Sequence, residues 1–301
     1  MATHNFFKSQ VNMVLIALLF AVVIPVWADN SAQFQQGVAA YQAGNYNQAF
    51  RLLQPLAQQG NTMAQNNLGV MYKNGRGVKQ DDKQAVAWYQ KAANQGYAPA
   101  QYNLGRMYQN GWGVKQDDKQ AVAWYQKAAN QGYAPAQNNL GTVYEDGRSV
   151  KQDYRQAAVW YQKAANQGVA EAQNNLGWMY QNGLGVKQDY KQAVAWYKKS
   201  ANQGLAGAQY NLGNMYQRGQ GVAQNDKQAV AWYQKAANQG HALAQHNLGV
   251  MYYLGRGVVQ NVQQAKTWWQ KVVAQPDTAG NAEAKALSRE SLQVLRSKGI
   301  R

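Results

Sequence analysis

The 301-residue chain contains no cysteine, few histidines and few acidic residues. Without cysteine, disulfide bonds, thiolate metal sites and a cysteine nucleophile are excluded. Only 14 aspartates and glutamates stand against 30 lysines and arginines, which gives a formal net charge of +16. This excess can steer acidic partners or anionic envelope surfaces. Because the charges are spread along the chain, we interpret them as a solvated surface rather than a dedicated polyanion site.

Long apolar runs are also missing, except near the N terminus. Residues 14–24 form an apolar segment after Lys8, and residues 26–28 provide a small-residue cleavage motif. The apolar run over residues 14–27 is short for a membrane span. We interpret residues 1–28 as a secretory signal peptide, with an uncleaved N-terminal anchor as the alternative. The mature chain is then exported without stable membrane insertion, to a bacterial periplasm first of all, with secretion or surface association as alternatives.

An internal repeat with a fixed period of 36 residues is the clearest positive feature. This period indicates stacked supersecondary units, none of which can bury its apolar face alone. Such solenoids present an extended surface to a partner. We expect residues 29–63 to form a shorter helix pair, residues 64–274 six repeats, and residues 275–301 a linker with a C-terminal capping helix. The six copies begin at Ala64, Ala100, Ala136, Ala172, Ala208 and Ala244.

Each repeat predicts two helices, as the copy from Ala100 illustrates. Ala100 and Leu104 recur at helical spacing, which gives the first helix an apolar face. Gly105 lies within this helix at a cost of about 1 kcal/mol relative to alanine. Its recurrence in every copy indicates a close helix–helix approach. Two glycines then allow a compact loop, and Asp117 is placed to cap the second helix. In the third copy Ser149 replaces the second loop glycine, so we expect a distorted loop there.

The repeat closely resembles the Sel-one-like repeat (SLR) family, a relative of tetratricopeptide repeats. The resemblance covers about residues 64–274 and rests on the pattern A-x-x-x-L-G-x-x-Y-x-x-G-x-G-V-x-x-D-x-x-x-A-x-x-W-Y-x-x-A-A-x-x-G, read from Ala64 to Gly96. Residues 29–63 look more like a tetratricopeptide unit. The resemblance implies an all-α fold, a right-handed α-solenoid of stacked antiparallel helix pairs whose first helices line a concave groove. It also implies a role as adaptor or scaffold.

Several functions are compatible with this resemblance. Exported bacterial members include host-interaction proteins, envelope-assembly factors, immunity proteins against secreted toxins, and cysteine-rich proteins reported to bind β-lactams. We favour a non-enzymatic scaffold that binds a protein or peptide, acidic ones included, in its groove. The alternatives are an immunity protein, a host-interaction protein and, least favoured, a β-lactam hydrolase. Nucleic acid is not expected as a partner, because the chain is exported and carries no recognisable binding motif. The oligomeric state stays open.

Residues suited to catalysis are scarce. Beyond the signal peptide the histidines are His241 and His246, whose five-residue separation is not that of a helical metal pair. We interpret both as ordinary surface residues and expect no metal or other cofactor. Paired aspartates, such as Asp117 and Asp118, fall at predicted helix starts, where capping explains them. No Ser-x-x-Lys or Gly-x-Ser-x-Gly motif occurs, so no serine nucleophile is visible.

Candidate binding residues come from positions that vary within the fixed frame. Trp112 and Trp178 are the expected anchors, because tryptophan and arginine are frequent interface hot spots. Arg106 is suited to a partner carboxylate. As alternatives, Trp112 covers its own loop and Arg106 is merely solvated. The same variable series also contribute Tyr102, Tyr210 and Tyr253.

An asparagine precedes the repeated Leu-Gly in every copy. An amide donates and accepts hydrogen bonds together, so a row of amides is suited to hold an extended peptide backbone. The alternatives are that each asparagine bonds to the backbone of a neighbouring helix or loop, as side-chain hydrogen bonds often do, or that it recurs only through recent duplication of the repeat. The candidate members are Asn103, Asn139, Asn175 and Asn211.

Overall fold

The computed structural model describes residues 26–147 and 149–299. The apolar segment of the predicted signal peptide lies outside these residues. The described residues form fifteen α-helices and no strand, which confirms the all-α prediction. The helices are α1 (Val26–Gln42), α2 (Tyr46–Gln58), α3 (Thr62–Asn74), α4 (Asp82–Asn94), α5 (Ala98–Asn110), α6 (Asp118–Asn130), α7 (Ala134–Asp146), α8 (Tyr154–Asn166), α9 (Ala170–Asn182), α10 (Tyr190–Asn202), α11 (Ala206–Arg218), α12 (Asp226–Asn238), α13 (Ala242–Leu254), α14 (Val262–Ala274) and α15 (Ala282–Ser297).

From α3 onward the helices alternate in two roles. We call the odd-numbered helices from α3 to α13 the A helices, and the even-numbered helices from α4 to α14 the B helices. Each A helix packs against the B helix that follows it, and each B helix packs against the next A helix. The helix pair α1–α2 precedes them, and α15 packs against both α13 and α14. Contacts between sequence neighbours are the mark of a solenoid, which confirms the predicted stacking of helix pairs.

Local residues set the helix ends as the sequence predicts. Pro99 lies in the first turn of α5, where its missing N–H has no intrahelical partner to lose. Gly111 ends the same helix in the left-handed conformation, with φ of 67°. The side chain of Asp117 accepts a hydrogen bond from the backbone N–H of Gln120 and thereby caps α6. Each repeat therefore starts and stops its helices with its own residues.

The glycine in the middle of each A helix makes room for an aromatic ring of the paired B helix. A Cβ atom added to Gly105 would lie 2.7 Å from the ring of Tyr125, which is fully buried. In the last repeat Gly249 faces Trp269 instead. The predicted close approach is therefore real, and it is a contact between helix backbone and ring. The remaining pairs are Gly69–Tyr89, Gly141–Tyr161, Gly177–Tyr197 and Gly213–Tyr233.

Ser149 keeps the backbone conformation of the glycine it replaces. Its φ is 61°, close to the 68° of Gly113 and the 69° of Gly185 at the same place in neighbouring repeats. The expected distortion of the loop is therefore wrong at this residue. A side chain in the left-handed region costs roughly 1–2 kcal/mol, so the third repeat holds its loop shape at some strain.

Buried glutamines connect successive repeats, a feature that the sequence reasoning missed. The side-chain nitrogen of Gln101, at the start of α5, donates to the carbonyl oxygen of Ala93 in the preceding B helix, at 3.2 Å. Gln131, after α6, donates to the side-chain oxygen of Gln101 at 2.8 Å. The amide of Gln101 thus both donates and accepts a hydrogen bond inside the core, so that its polar atoms are not left unpaired there. The A-helix members of this glutamine ladder are Gln65, Gln101, Gln137, Gln173, Gln209 and Gln245.

Helix α15 covers the C-terminal end of the stack through polar contacts that reach into the core. Nδ1 of His246 lies 3.1 Å from the hydroxyl of Ser288 on α15. Only 7% of His246 is exposed, so the interpretation of this residue as a surface histidine is wrong. His241 is half-buried and accepts a hydrogen bond from the backbone N–H of Ala244, which caps α13. Lys285 is also buried and donates to the carbonyl oxygen of Gln275 at 2.6 Å.

The contact between glycine and tyrosine predicts opposite effects of two Gly→Ala substitutions. Gly105→Ala places a methyl group against a buried ring, so overpacking of about 1–3 kcal/mol outweighs the helix-propensity gain of about 1 kcal/mol. Gly207, in the first turn of α11, has no atom within 4 Å of an added Cβ, so Gly207→Ala is stabilising. Urea unfolding measures both changes. A stabilising Gly105→Ala would contradict the packing account.

The buried histidines predict a loss of stability at mildly acidic pH. Burial lowers the pKa of His246 and of His241 below the ordinary value of 6.5. The unfolded chain therefore takes up protons first, and the free energy of unfolding falls as the pH decreases through about 6.5. Each histidine contributes at most about 1.4 kcal/mol per pH unit. Thermal unfolding between pH 7 and 5 tests this, and the His241→Asn/His246→Gln variant should lose the slope. An unchanged slope would rule out the histidines as its source.

Candidate partner-binding site

A cleft of about 550 Å³ opens between α5, α6 and α7, where the second and third full repeats meet. The loop after α5 and the first turn of α6 form one wall, and α7 forms the other. Three of the candidate residues, Arg106, Trp112 and Asn139, line this cleft together. The fold thus brings together side chains that are up to 33 residues apart in the chain. The other candidates are not among the residues that line it.

Two cations lie close to the indole of Trp112. The ammonium nitrogen of Lys73, from the preceding repeat, lies 3.8 Å from the indole centroid. The guanidinium carbon of Arg106 lies 5.9 Å from the same ring system. Both distances fall within the range of cation–π attraction. The indole also packs against the core beneath its loop, so the alternative that Trp112 covers its own loop describes part of its role.

The cleft carries charges of both signs. Arg106 is exposed, and within the described part of the chain it forms no ion pair. Its guanidinium is therefore available to a carboxylate from outside. Lys73 lies next to the cleft and pairs with Asp82 at 3.1 Å. Asp118 and Asp146 line the opposite parts of the cleft. The cleft therefore combines a guanidinium and two carboxylates.

The cleft is lined in part by Tyr125, a buried tyrosine whose hydroxyl is hydrogen-bonded within its own repeat. The hydroxyl of Tyr125 donates to the side-chain oxygen of Gln109 at 2.6 Å. Burial raises the pKa of Tyr125, which keeps the hydroxyl protonated as a donor. Sequence reasoning did not identify this bond. The fixed 16-residue separation was the available signal, and it recurs in Tyr161–Glu145, Tyr197–Gln181 and Tyr233–Gln217.

The three candidate tyrosines are half-buried and pack against other rings. The ring of Tyr102 lies 5.8 Å from that of Tyr125, between centroids. Tyr210 stacks on His241 at 4.9 Å. Tyr253 receives a hydrogen bond of 2.8 Å from Lys298, beyond the end of α15. Tyr102 therefore packs α5 against α6, and Tyr210 packs α11 against the residue that precedes α13. Tyr253 contributes to the contact with the C-terminal region.

Trp178 occupies on α9 the position that Arg106 occupies on α5. Its side chain is 37% exposed, which is high for a tryptophan within a helix. The backbone carbonyl of Trp178 accepts a hydrogen bond from Asn182. Trp178 does not reach the cleft, since it lies two repeats further along the stack. Trp178 is therefore an exposed aromatic side chain outside the cleft, at the A-helix position equivalent to Arg106.

The candidate asparagines do not all have the same surroundings. Asn103 donates to the side-chain oxygen of Asn66 at 2.9 Å, and Asn211 donates to Asn174 at 3.0 Å. These two amides connect neighbouring A helices. Asn175 accepts a weaker hydrogen bond of 3.4 Å from the adjacent Asn174. Asn139 lines the cleft.

The described residues contain neither a metal-binding cluster nor a membrane-spanning helix. No group of three or more histidine, aspartate or glutamate side chains there is arranged to hold a metal ion. None of the helices described combines the length and apolarity that a bilayer crossing requires.

Comparison with known proteins places the repeats in one family. The Sel1 repeat model matches seven consecutive segments, residues 32–61, 62–97, 98–133, 134–169, 170–205, 206–241 and 242–276. The first of these matches is the α1–α2 pair. Among curated proteins no significant match is found.

Two solved structures are similar in both fold and sequence. One is a protective antigen of uropathogenic Escherichia coli with an SLR fold, 39% identical, with a TM-score of 0.75 over 83% of this chain. This chain spans only 52% of that antigen. The other is a Sel1 repeat protein from Oxalobacter formigenes, 38% identical, with a TM-score of 0.73 over 78% of this chain and 96% of that protein. The chain therefore belongs to the Sel1 repeat family, whose α-solenoids are scaffolds that typically mediate protein–protein interaction.

Proposed function

We propose that this protein is an exported adaptor that binds an extended segment of a partner protein along its A helices. The cleft at Arg106 and Trp112 is the centre of this interaction, and Trp178 is a second anchor. Export rests on the predicted signal peptide at residues 1–28. The Sel1 repeat scaffold supports the general role, because stacked helix pairs offer a long continuous surface to a partner.

The observation that carries the proposal is the cluster formed by Lys73, Arg106 and Trp112. The indole of Trp112 packs against the core and contacts Lys73, so its position is largely fixed and little side-chain entropy is lost when a partner packs on it. Tryptophan and arginine at the centre of an interface carry much of the binding energy when they are shielded from water. The 550 Å³ cleft beside them supplies the concavity that such shielding needs.

The charge around Arg106 favours a partner segment with an acidic residue. Arg106 can hold a carboxylate through a bidentate pair, whereas Lys73 is already neutralised by Asp82. The amide of Asn139, on the facing wall, can bond to the partner backbone. Beyond it the A helices continue toward Trp178. A peptide in extended conformation fits these contacts better than a compact ligand does.

Site-specific photo-crosslinking tests where the partner binds. A benzophenone amino acid at position 112 or 178 should capture the same protein from envelope or secreted fractions. The matched control is position 259, where valine is 88% exposed in the loop between α13 and α14. Capture of one partner at 112 and 178 but not at 259 would support the proposal. Equal capture at all three positions, or at 259 alone, would contradict it.

Substitution of Arg106 and of Trp112 tests the contribution of each residue to affinity. Once the partner is captured, we expect Arg106→Ala and Trp112→Ala each to raise its Kd by about tenfold or more, as hot-spot residues do. Arg106 is exposed, so its loss leaves folding intact and separates binding from stability. Val159→Ala, at an exposed position on α8, is the control and should leave Kd unchanged. An unchanged Kd for both anchor variants would exclude the cleft as the binding site.

A further inference from the structure

The B helices carry a row of lysines in register, one in each repeat. Each ammonium nitrogen lies between 3.9 and 4.3 Å from the centroid of the tryptophan three residues earlier. These lysines are exposed, whereas the rings below them are mostly covered; Trp124, for example, is 8% exposed. The members of this lysine row are Lys91, Lys127, Lys163, Lys199, Lys235 and Lys271.

The tryptophans hold the lysines in a fixed place. A buried ring has few rotamers open to it, and cation–π attraction keeps the ammonium group above its face. A flexible lysine would lose side-chain freedom on binding an anion, but a lysine held over an indole has lost much of it already. The row is therefore a preordered set of positive charges rather than six independent solvated side chains.

A second row of cations lies beside the first. It consists of residues eight positions earlier on the same helices, so the two rows lie about 12 Å apart along the helix axis and within about 80° of each other around it. A small residue, such as Ala123, lies between the two cations on most of these helices. All members of the second row are exposed. They are Lys83, Lys119, Arg155, Lys191 and Lys227.

Acidic side chains are absent from the B helices between the two rows and around the lysine row. From position 83 to 94, and in the equivalent stretches of the following B helices, no aspartate or glutamate occurs. The aspartates at the helix starts directly precede members of the second row, and most of them have other partners. Asp81 and its equivalents cap the helices, Asp82 pairs with Lys73, and Asp226 pairs with Arg256. In the described part of the chain no cation of either row has an ion-pair partner.

Exposed amides accompany the cations on the same side of the B helices. Asn130 lies three residues after Lys127, and its side-chain oxygen accepts a hydrogen bond of 2.8 Å from Gln126. The same pairing recurs in the first, third and fifth full repeats. Its amide nitrogen remains able to donate to a hydroxyl or carbonyl group. We call the two cation rows and these amides the cationic B face.

We infer that the cationic B face binds a linear acidic polysaccharide. The rows of charges match a polymer that carries one anion per sugar unit or two, and the amides match its hydroxyl groups. A flexible chain can follow six successive repeats along the stack. In the sequence these charges looked evenly dispersed, because the repeat spaces them 36 residues apart. The fold brings them together along successive B helices, and on this basis we assign them a binding role in place of the interpretation as a solvated surface.

Two other polyanions fit less well. Single-stranded nucleic acid binds through exposed aromatic rings on which bases stack, but these rings lie beneath the lysines. An interfacial helix inserts bulky apolar side chains into a membrane, whereas the B face presents mainly alanine between its cations. Val159, 48% exposed, is the exception.

Binding of a heparin oligosaccharide of defined length to the purified protein tests this inference. Heparin serves as the probe for an acidic glycan, and neutral dextran is the ligand control. The test variant is Lys127→Gln/Lys163→Gln/Lys199→Gln. The matched control, Arg218→Gln/Arg289→Gln/Arg296→Gln, removes the same charge from exposed positions on α11 and α15. Circular dichroism establishes that both variants fold.

The inference predicts at least a tenfold weaker affinity for the lysine-row variant and less than a threefold change for the control. The slope of log Kd against log salt concentration should fall by about 2–3 in the lysine-row variant, since three ionic contacts are lost. Heparin should also shift the tryptophan emission of the parent protein more than that of this variant.

Three results would overturn the inference. One is equal weakening by both triple variants, which would mean attraction by net charge alone. Another is the absence of heparin binding at low salt. The third is stronger binding to single-stranded DNA, or to vesicles containing anionic phospholipid, than to heparin at the same salt concentration.

Discussion

A glycine in the middle of each A helix lets a buried aromatic ring lie against the helix backbone, and the rest of the structure depends on this contact. Gly105 costs its helix about 1 kcal/mol, yet only glycine leaves space for Tyr125. The ring draws the A and B helices of one repeat together. Its hydroxyl then meets Gln109, which fixes the outer part of α5 as well. Between repeats the glutamine ladder holds the helices together, because Gln101 donates to the carbonyl oxygen of Ala93 in the preceding repeat and accepts from Gln131 after α6.

Because the buried contacts hold the repeats together, the exposed positions of the A helices and of the B helices are free to bind partners. The buried contacts use glycine, tyrosine, alanine and glutamine, which are nearly the same in every repeat. On the A helices, positions such as Arg106 and Trp178 differ from repeat to repeat and suit a partner of irregular shape. On the B helices, the lysine of each repeat recurs and suits a regular polymer. The same scaffold therefore carries one proposed site whose residues differ between repeats and another whose residues are the same in each repeat.

The sequence predicted the fold well because its signals are local and repeated. Spacing, caps such as Asp117 and the turn glycines were enough to define the helix pairs. Features that need three dimensions were missed. His246 looked like a surface residue because its cover, Ser288, is 42 residues away. Arg106, Trp112 and Asn139 were chosen separately, and their meeting in one cleft follows only from the packing of α5 to α7. The lysine row was hidden by its even spacing.

The most direct test of a modular frame is to delete one unit, residues 136–171, and measure hydrogen exchange. In the shortened protein Gln173 can take the carbonyl of Ala129 that Gln137 now occupies, so the glutamine ladder closes again. If each repeat depends only on its own glycine–aromatic contact and its neighbours, amide protection in α9 to α12 should stay within a few-fold of the parent protein. Loss of protection throughout the remaining repeats would contradict this account.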